Sequence, residues 1–354
     1  MRASLRLFAL SLLAAGPILL APAIPSPAMA QELSDEGRMP SLSGATHWFN
    51  SPPLTTQALR GKVVLVDFWT YSCINCLREM PYIRAWAEKY KNSGLVVIGV
   101  HAPEFEFEKK TDNIQKAISR FHVDFPVAVD NDRSIWNSFN NEYWPAAYFI
   151  DAQGRIRHHH FGEGDYATSE RIIQTLLTEA GAKNVPISLV DVSASGEQAE
   201  ADMNNVGSPE TYIGYARARN FISTGGAVQD SANDYVLQGT PELNQWGVTG
   251  NWTVTDEHAT LNAQGGGITY RFHARDLHLV MGPGPNGKPI RFRVTIDGRT
   301  PGMQHGTDID EQGNGTVTSQ RLYQLVRQTG PITDHTFHIE FLDPGVQAFA
   351  FTFG

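Results

Sequence analysis

The stretch Val63-Val-Leu-Val-Asp-Phe-Trp-Thr-Tyr-Ser-Cys-Ile-Asn-Cys-Leu-Arg-Glu-Met-Pro81 carries the two cysteines of this 354-residue chain. It reads as a buried apolar strand that turns directly into a helix. A Cys-x-x-Cys pair at that junction places backbone N–H groups and the positive end of the helix dipole at the first sulfur, which favours the thiolate. Two intervening residues let the sulfurs meet within one turn, so the pair is able to cycle between dithiol and disulfide. Two plainer readings compete. A structural disulfide would close a loop too short to restrict the unfolded chain much. A zinc site needs about four ligands, and histidines would have to replace the absent second cysteine pair. A redox-active Cys73–Cys76 disulfide, with no further cofactor and no metal, is the reading these residues favour.

The N-terminus points to an oxidising compartment. Arg2 and Arg6 precede an apolar run from Leu7 to Leu20, and Ala28-Met-Ala30 closes a Pro-rich stretch. This is the pattern of a secretory signal peptide over residues 1–30, cut before Gln31. An uncleaved anchor is the competing reading, but the run falls short of the ~20 residues a span needs and Pro17 interrupts it. The expected location is an exported compartment, a bacterial periplasm. Removing those residues takes away two Arg and no acid, moving the formal charge from −9 to −11. So acidic a chain is a poor nucleic-acid ligand. Two cysteines in so long an exported chain are too few to staple a fold, which leaves them for chemistry.

Length suggests two domains. From Gly61 to about Gly181 strands and helices alternate: strands at Val63–Trp69, Leu95–Val100, Val127–Val129, Tyr148–Ile150 and Arg155–Phe161, helices at Ile74–Lys91, Thr111–Phe121, Ser134–Phe139 and Ser169–Ala180. Residues 185–205 are rich in Ser, Ala, Gly, Asp and Asn and read as a linker. Beyond Asn233 short β-like runs recur between turn signals such as Pro285-Asn-Gly287 and Asp343-Pro-Gly345, without helical periodicity, as in a β-sandwich or jelly roll. The expected domains are therefore 31–184, α/β, and 206–354, all-β.

At this point the motifs resemble a family. Strand, Cys-x-x-Cys, helix and a later Pro before a strand is the order of the thioredoxin fold. Asp67 stands six residues before Cys73, where thioredoxins keep a buried carboxylate, and Pro81 five after Cys76, where they kink the active-site helix. Trp144-Pro-Ala146 resembles the cis-proline loop that faces the cysteines. Glu79 and the extra helix between Glu104 and Phe121 are similar to the TlpA/ResA branch. Phe68-Trp-Thr-Tyr-Ser-Cys-Ile-Asn-Cys76, Phe161-Gly-Glu-Gly-Asp-Tyr166 and Pro209-Glu-Thr-Tyr-Ile-Gly-Tyr215 together resemble the exported C-terminal region of DipZ-type thiol:disulfide interchange proteins. The resemblance implies an α/β thioredoxin fold followed by an all-β, jelly-roll-like sandwich of carbohydrate-binding type, acting as a thiol:disulfide oxidoreductase. It implies disulfides of periplasmic proteins as substrates and a membrane electron donor of the CcdA/DsbD type. A glycan is a further candidate partner, and an oligomer is compatible with it.

The site residues follow. Cys73 is the expected attacking thiolate and Cys76 the resolving thiol. Asp67 is the candidate base for Cys76, directly or through water, if burial raises its pKa; the alternative is an ordinary strand-end Asp in a turn bond. Glu79 either tunes the cysteines or compensates the helix dipole. Pro145 is expected in the cis form. Trp69, Tyr71 and Trp144 are candidate substrate contacts, joined by His101 and Glu104, which follow the C-terminal end of a strand where α/β sites gather. The neutral Ile74-Asn75 pair points to a potential on the order of −200 to −280 mV. His158-His-His160 and the loop at Asp308 lack the spacing of metal sites. Trp246, Trp252, Tyr270 and Tyr323 would form either a sandwich core or a sugar-stacking face. Tyr212, Tyr215 and Phe221 are too apolar for a solvated spacer, so their segment is expected to pack between the domains or against another subunit.

Overall fold

The computed structural model describes residues 33–354, and the signal-peptide assignment at 1–30 lies outside them. Among the described residues no helix is long and apolar enough to cross a membrane. The first half contains strands β1 (His47–Phe49), β2 (Val63–Trp69), β3 (Leu95–His101), β4 (Val127–Val129), β5 (Ala146–Ile150) and β6 (Ile156–Phe161), with helices α1 (Ile74–Tyr90), α2 (Thr111–Arg120), α3 (Ser134–Ser138) and α4 (Tyr166–Glu179). The sheet order is β1-β4-β3-β2-β5-β6. β2, β3 and β4 run parallel; on the other side of β2, β5 runs antiparallel to it and β6 antiparallel to β5. β2 is thus the central strand, and all seven of its residues are buried.

Strand alternation then sorts the side chains of β2 onto two faces. Val64, Val66 and Phe68 join the core of Ile98, Trp136, Phe139 and Tyr148. Asp67 and Trp69 therefore face the opposite side. Gly99 on β3 leaves the space Trp69 occupies, since a Cβ there would lie 2.8 Å from its indole nitrogen.

The second half is built of β7 (Thr211–Tyr212), β8 (Ala232–Tyr235), β9 (Trp246–Val254), β10 (Ala259–Leu261), β11 (Gly266–Phe272), β12 (Asp276–Pro283), β13 (Ile290–Ile296), β14 (Asn314–Val317), β15 (Arg321–Arg327), β16 (His335–Phe341) and β17 (Val346–Phe353). Every pairing between these strands is antiparallel, in the order β14-β13-β16-β11-β9-β10-β17-β12-β15, with β7 joined to β17 and β8 to β9. The sheet curls into a sandwich because β9 changes partner along its length. Its Trp246–Thr249 end pairs with β11 and its Trp252–Val254 end with β10. The corner falls at Gly250, whose φ of 94° and 2.8 Å clearance to Gly266 exclude a side chain. Trp246, Trp252, Tyr270 and Tyr323 are all buried within the sandwich, so they form core and no sugar-stacking face.

Residues 185–205 are not a free tether. They hold two short 3-10 turns, at Gly196–Gln198 and Met203–Asn205. Gln198 donates to the Leu77 carbonyl of α1 at 3.2 Å, and Arg327 of β15 donates to the Gly196 carbonyl at 3.1 Å. The halves also meet through aromatic rings. Phe105 and Phe107, in the loop after β3, contact Phe349 of β17 at centroid distances of 5.3 and 4.7 Å.

Candidate active site

Cys73 occupies the N-cap of α1, and its sulfur accepts the Cys76 N–H at 3.4 Å. Both cysteines are in the free thiol form. Cys73 is partly exposed, while Cys76, one turn in, is 1% exposed. Burial, followed by the hydrogen bond and charge of Cys73, pushes the Cys76 thiol well above its ordinary range. A thiol so held keeps its proton unless a neighbouring group takes it.

Asp67 lies on the face of β2 turned away from the Phe68 core, is 1% exposed, and its Oδ1 has no hydrogen-bond partner. Desolvation lifts its carboxyl from 3.8 to about 7, and its charge in turn raises Cys76. Glu79 of α1 is 3% exposed, with an unpartnered Oε2. Burial, then the charges of Asp67, Cys73 and Glu163, holds Glu79 well above the usual carboxylate range. Two buried carboxyls and two thiols thus share one region with little cationic compensation, so protons in it are strongly coupled. Glu79 is inside the protein, not on the exposed first turn that dipole compensation would need.

The Trp144–Pro145 peptide is cis, and the Pro145 carbonyl accepts the Gly162 N–H at 2.9 Å. Trp144 is half-buried, held by its indole N–H on the Ala102 carbonyl at 3.1 Å, and lines the Cys73 cleft. Glu104 lines the same cleft.

Three of the expected substrate contacts sit elsewhere. Trp69 and His101 are fully buried and Tyr71 is nearly so, which places them beneath the surface a partner would touch. The reason is the covered sheet: β2 and β3 carry protein on both faces, so residues at their C-terminal ends pack inward. His101 stacks on Tyr71 at 5.5 Å, contacts Thr70 Oγ1 at 3.3 Å, and burial drops its pKa to about 3.

One residue escaped the sequence reading. Glu108 is fully buried and accepts four hydrogen bonds: from the Ser72 N–H at 3.3 Å, the Ser72 hydroxyl at 2.6 Å, the Glu104 N–H at 2.6 Å and the Phe105 N–H at 3.0 Å. It ties the residue before Cys73 to the loop after β3. Tyr71 adds a second tie through its hydroxyl on the Phe107 carbonyl at 3.2 Å. The run Glu104-Phe-Glu-Phe-Glu108 offers only alternation as a signal, and alternation does not distinguish Glu108 from Glu104 and Glu106.

The family model described as Redoxin matches residues 37–177, and that described as Thioredoxin like C-terminal domain matches 208–354. Protein DipZ of Mycobacterium tuberculosis is 38% identical over 258 residues, which is 72% of this chain and 36% of that protein. The thiol-disulfide oxidoreductase YkuV of Bacillus subtilis is 31% identical over 141 residues, 40% of this chain and 95% of YkuV. This chain belongs to the thioredoxin-like thiol-disulfide oxidoreductases. It spans about a third of the length of the DipZ protein it matches. A solved thioredoxin-like protein in its oxidised form overlaps 40% of the chain and 96% of its own, with 32% identity and a TM-score of 0.38. Within this oxidoreductase family the match to DipZ runs past the redox half, consistent with the separate family model on the sandwich.

Proposed function

We propose that this protein is an exported thiol–disulfide oxidoreductase that reduces or exchanges disulfides in periplasmic proteins through Cys73 and Cys76. The observation that carries the reading is the partly exposed Cys73 at the α1 N-cap, with a buried Cys76 donating its N–H to the Cys73 sulfur at 3.4 Å. The Cys73 thiolate attacks one sulfur of a partner disulfide; the partner S–S bond breaks and the other partner sulfur leaves as a thiolate. Cys76 then gives its proton to the Asp67 carboxylate, directly or through water, and attacks the Cys73 sulfur. The mixed disulfide breaks, the second partner thiol departs, and Cys73–Cys76 is left oxidised. A membrane donor of the CcdA/DsbD type would return two electrons. In this reading residues 31–184 carry the chemistry, 185–205 connect, and 206–354 frame the site. A glycan-binding protein with an accessory redox domain is the alternative, and it draws on the sandwich alone, whose large aromatics are core.

Redox titration of the Cys73–Cys76 couple against dithiothreitol and glutathione tests the proposal. The expected potential is on the order of −200 to −280 mV. A value near −120 mV would assign the opposite direction, and a pair that never forms a disulfide would end the reading.

A further inference from the structure

Cys73 opens into a cleft of about 510 Å³ with two walls of different origin. Trp144, Glu163 and Arg78 belong to the redox half, while Glu210, Tyr212 and Arg217 belong to the sandwich half. The far wall is fastened in place. Arg78 donates to the Phe353 carbonyl at 2.9 Å, Arg217 Nη1 to Glu104 Oε1 at 2.8 Å, and the Tyr212 hydroxyl contacts Glu104 Oε1 at 2.7 Å. The Arg217 guanidinium lies 3.5 Å from the Tyr212 ring centre. A cleft of this size holds a ligand of drug-like dimensions or a few residues of extended chain. A disulfide set in a folded surface would bring its own flanks against the sandwich wall before its sulfur reached Cys73.

The charges of the cleft do not cancel. Glu163 pairs with Arg78 at 2.7 Å and Glu104 with Arg217 at 2.8 Å. Glu210 is the remaining ionisable group, and no ion pair reaches it among the described residues. Burial and the neighbouring Glu104 charge push its carboxyl up to about 7, so it carries its full charge only above that pH. Its Oε2 contacts only the Tyr212 hydroxyl, at 2.8 Å. That hydroxyl has one hydrogen and two carboxylates within reach, so it serves Glu104 and Glu210 one at a time. Glu104 keeps Arg217 whichever way that hydroxyl turns, so Glu210 is the carboxylate left without an opposite charge, and it lines the Cys73 cleft from the sandwich side.

We propose that the cleft takes an extended polypeptide segment whose disulfide is flanked by a basic residue, with Glu210 pairing that residue from the sandwich side. The inference rests on the redox reading of Cys73 and names the substrate class of that same site. The test uses the pre-reduced protein at about pH 8, where Glu210 is ionised, in single turnover against three disulfide-linked peptides that differ only in Lys, Gln or Glu beside the cysteine. The Lys peptide is expected to react roughly five- to tenfold faster than the Glu peptide at low ionic strength, with the gap closing in about 1 M salt. Glu210→Gln should collapse that ratio, and Glu210→Lys should invert it. The same Lys-flanked disulfide placed in a folded domain should react more slowly than the free peptide. Equal rates for the Lys and Glu peptides, a ratio that survives Glu210→Lys, or a folded disulfide that reacts as fast as the peptide would each overturn the inference while leaving the redox site intact. Failure of the wild-type protein to reduce any of the three would overturn the redox reading and this inference together.

Discussion

Asp67 and Glu108 are two buried carboxyl groups with opposite solutions to burial. Glu108 is surrounded by donors, whereas Asp67 Oδ1 meets none. For Asp67 the folded-state pKa, about 7, lies above the ordinary 3.8. The folded protein thus binds more protons than the unfolded chain between those values, and the group's contribution to stability is lost as pH rises from about 4 to 7. Asp67→Asn should therefore stabilise the protein at pH 8, on the order of 2–4 kcal/mol, with little effect at pH 4. Denaturant unfolding at the two pH values checks this. The same substitution should slow the Cys76 resolving step by roughly 10²-fold and abolish its rise through pH 7. Glu108 calls for a different expectation. Glu108→Ala would leave the Ser72, Glu104 and Phe105 N–H groups without their acceptor, costing about 3–5 kcal/mol. Alkylation of Cys73 by iodoacetamide should change in rate with it, because the turn that presents the sulfur is released.

At the scale of elements, α1 is the hinge of the design. Its N-cap holds Cys73, its first turns carry Cys76 and Glu79 inward, and Arg78 reaches outward to Glu163 and to the last strand, β17. Arg78→Ala would strand the nearly buried Glu163 carboxylate and free the Phe353 carbonyl. The expected cost is about 3–5 kcal/mol, read by denaturant midpoint at unchanged m-value. The elements that were legible in the sequence are those with long apolar runs or clear period: β2, α1 and β3 are found within a residue or two of where hydrophobicity placed them. Those that were not legible are short or polar. β1, β7 and β10 have two or three residues, and β8, Ala-Asn-Asp-Tyr, and β14, Asn-Gly-Thr-Val, carry turn-like composition. Such strands form because a longer neighbour supplies the ladder, a tertiary effect that local propensity does not encode. The site divides along the same line. The Cys-x-x-Cys spacing singled out the cysteines and the family resemblance singled out Asp67 and Pro145, but whether Trp69, Tyr71 and His101 face outward or inward depends on what covers the sheet.

In the molecule as a whole, described residues from Ser34 to Gly354 form one compact unit. Of the segment expected to pack between the halves, Tyr212 does so together with Arg217: both meet Glu104, and Phe105 lies 6.4 Å from Tyr212 between ring centres, whereas Tyr215 and Phe221 pack on the sandwich's own core. The Phe105–Phe107–Phe349 cluster adds an apolar seam beside them. Calorimetry of the full chain should give one cooperative transition, and Phe349→Ala should lower it by several degrees or split it in two. Two independent transitions in the wild-type protein would mean that the halves are merely tethered. The chemistry of the molecule turns on which sulfur attacks and which resolves. Cys76→Ser, pre-reduced and mixed with a disulfide-linked peptide, should accumulate a stable peptide adduct on Cys73, seen by intact mass and mapped by digestion. Cys73→Ser should form none on the same timescale. Adducts on Cys76 in the second variant at a comparable rate, or none on Cys73 in the first, would contradict the account.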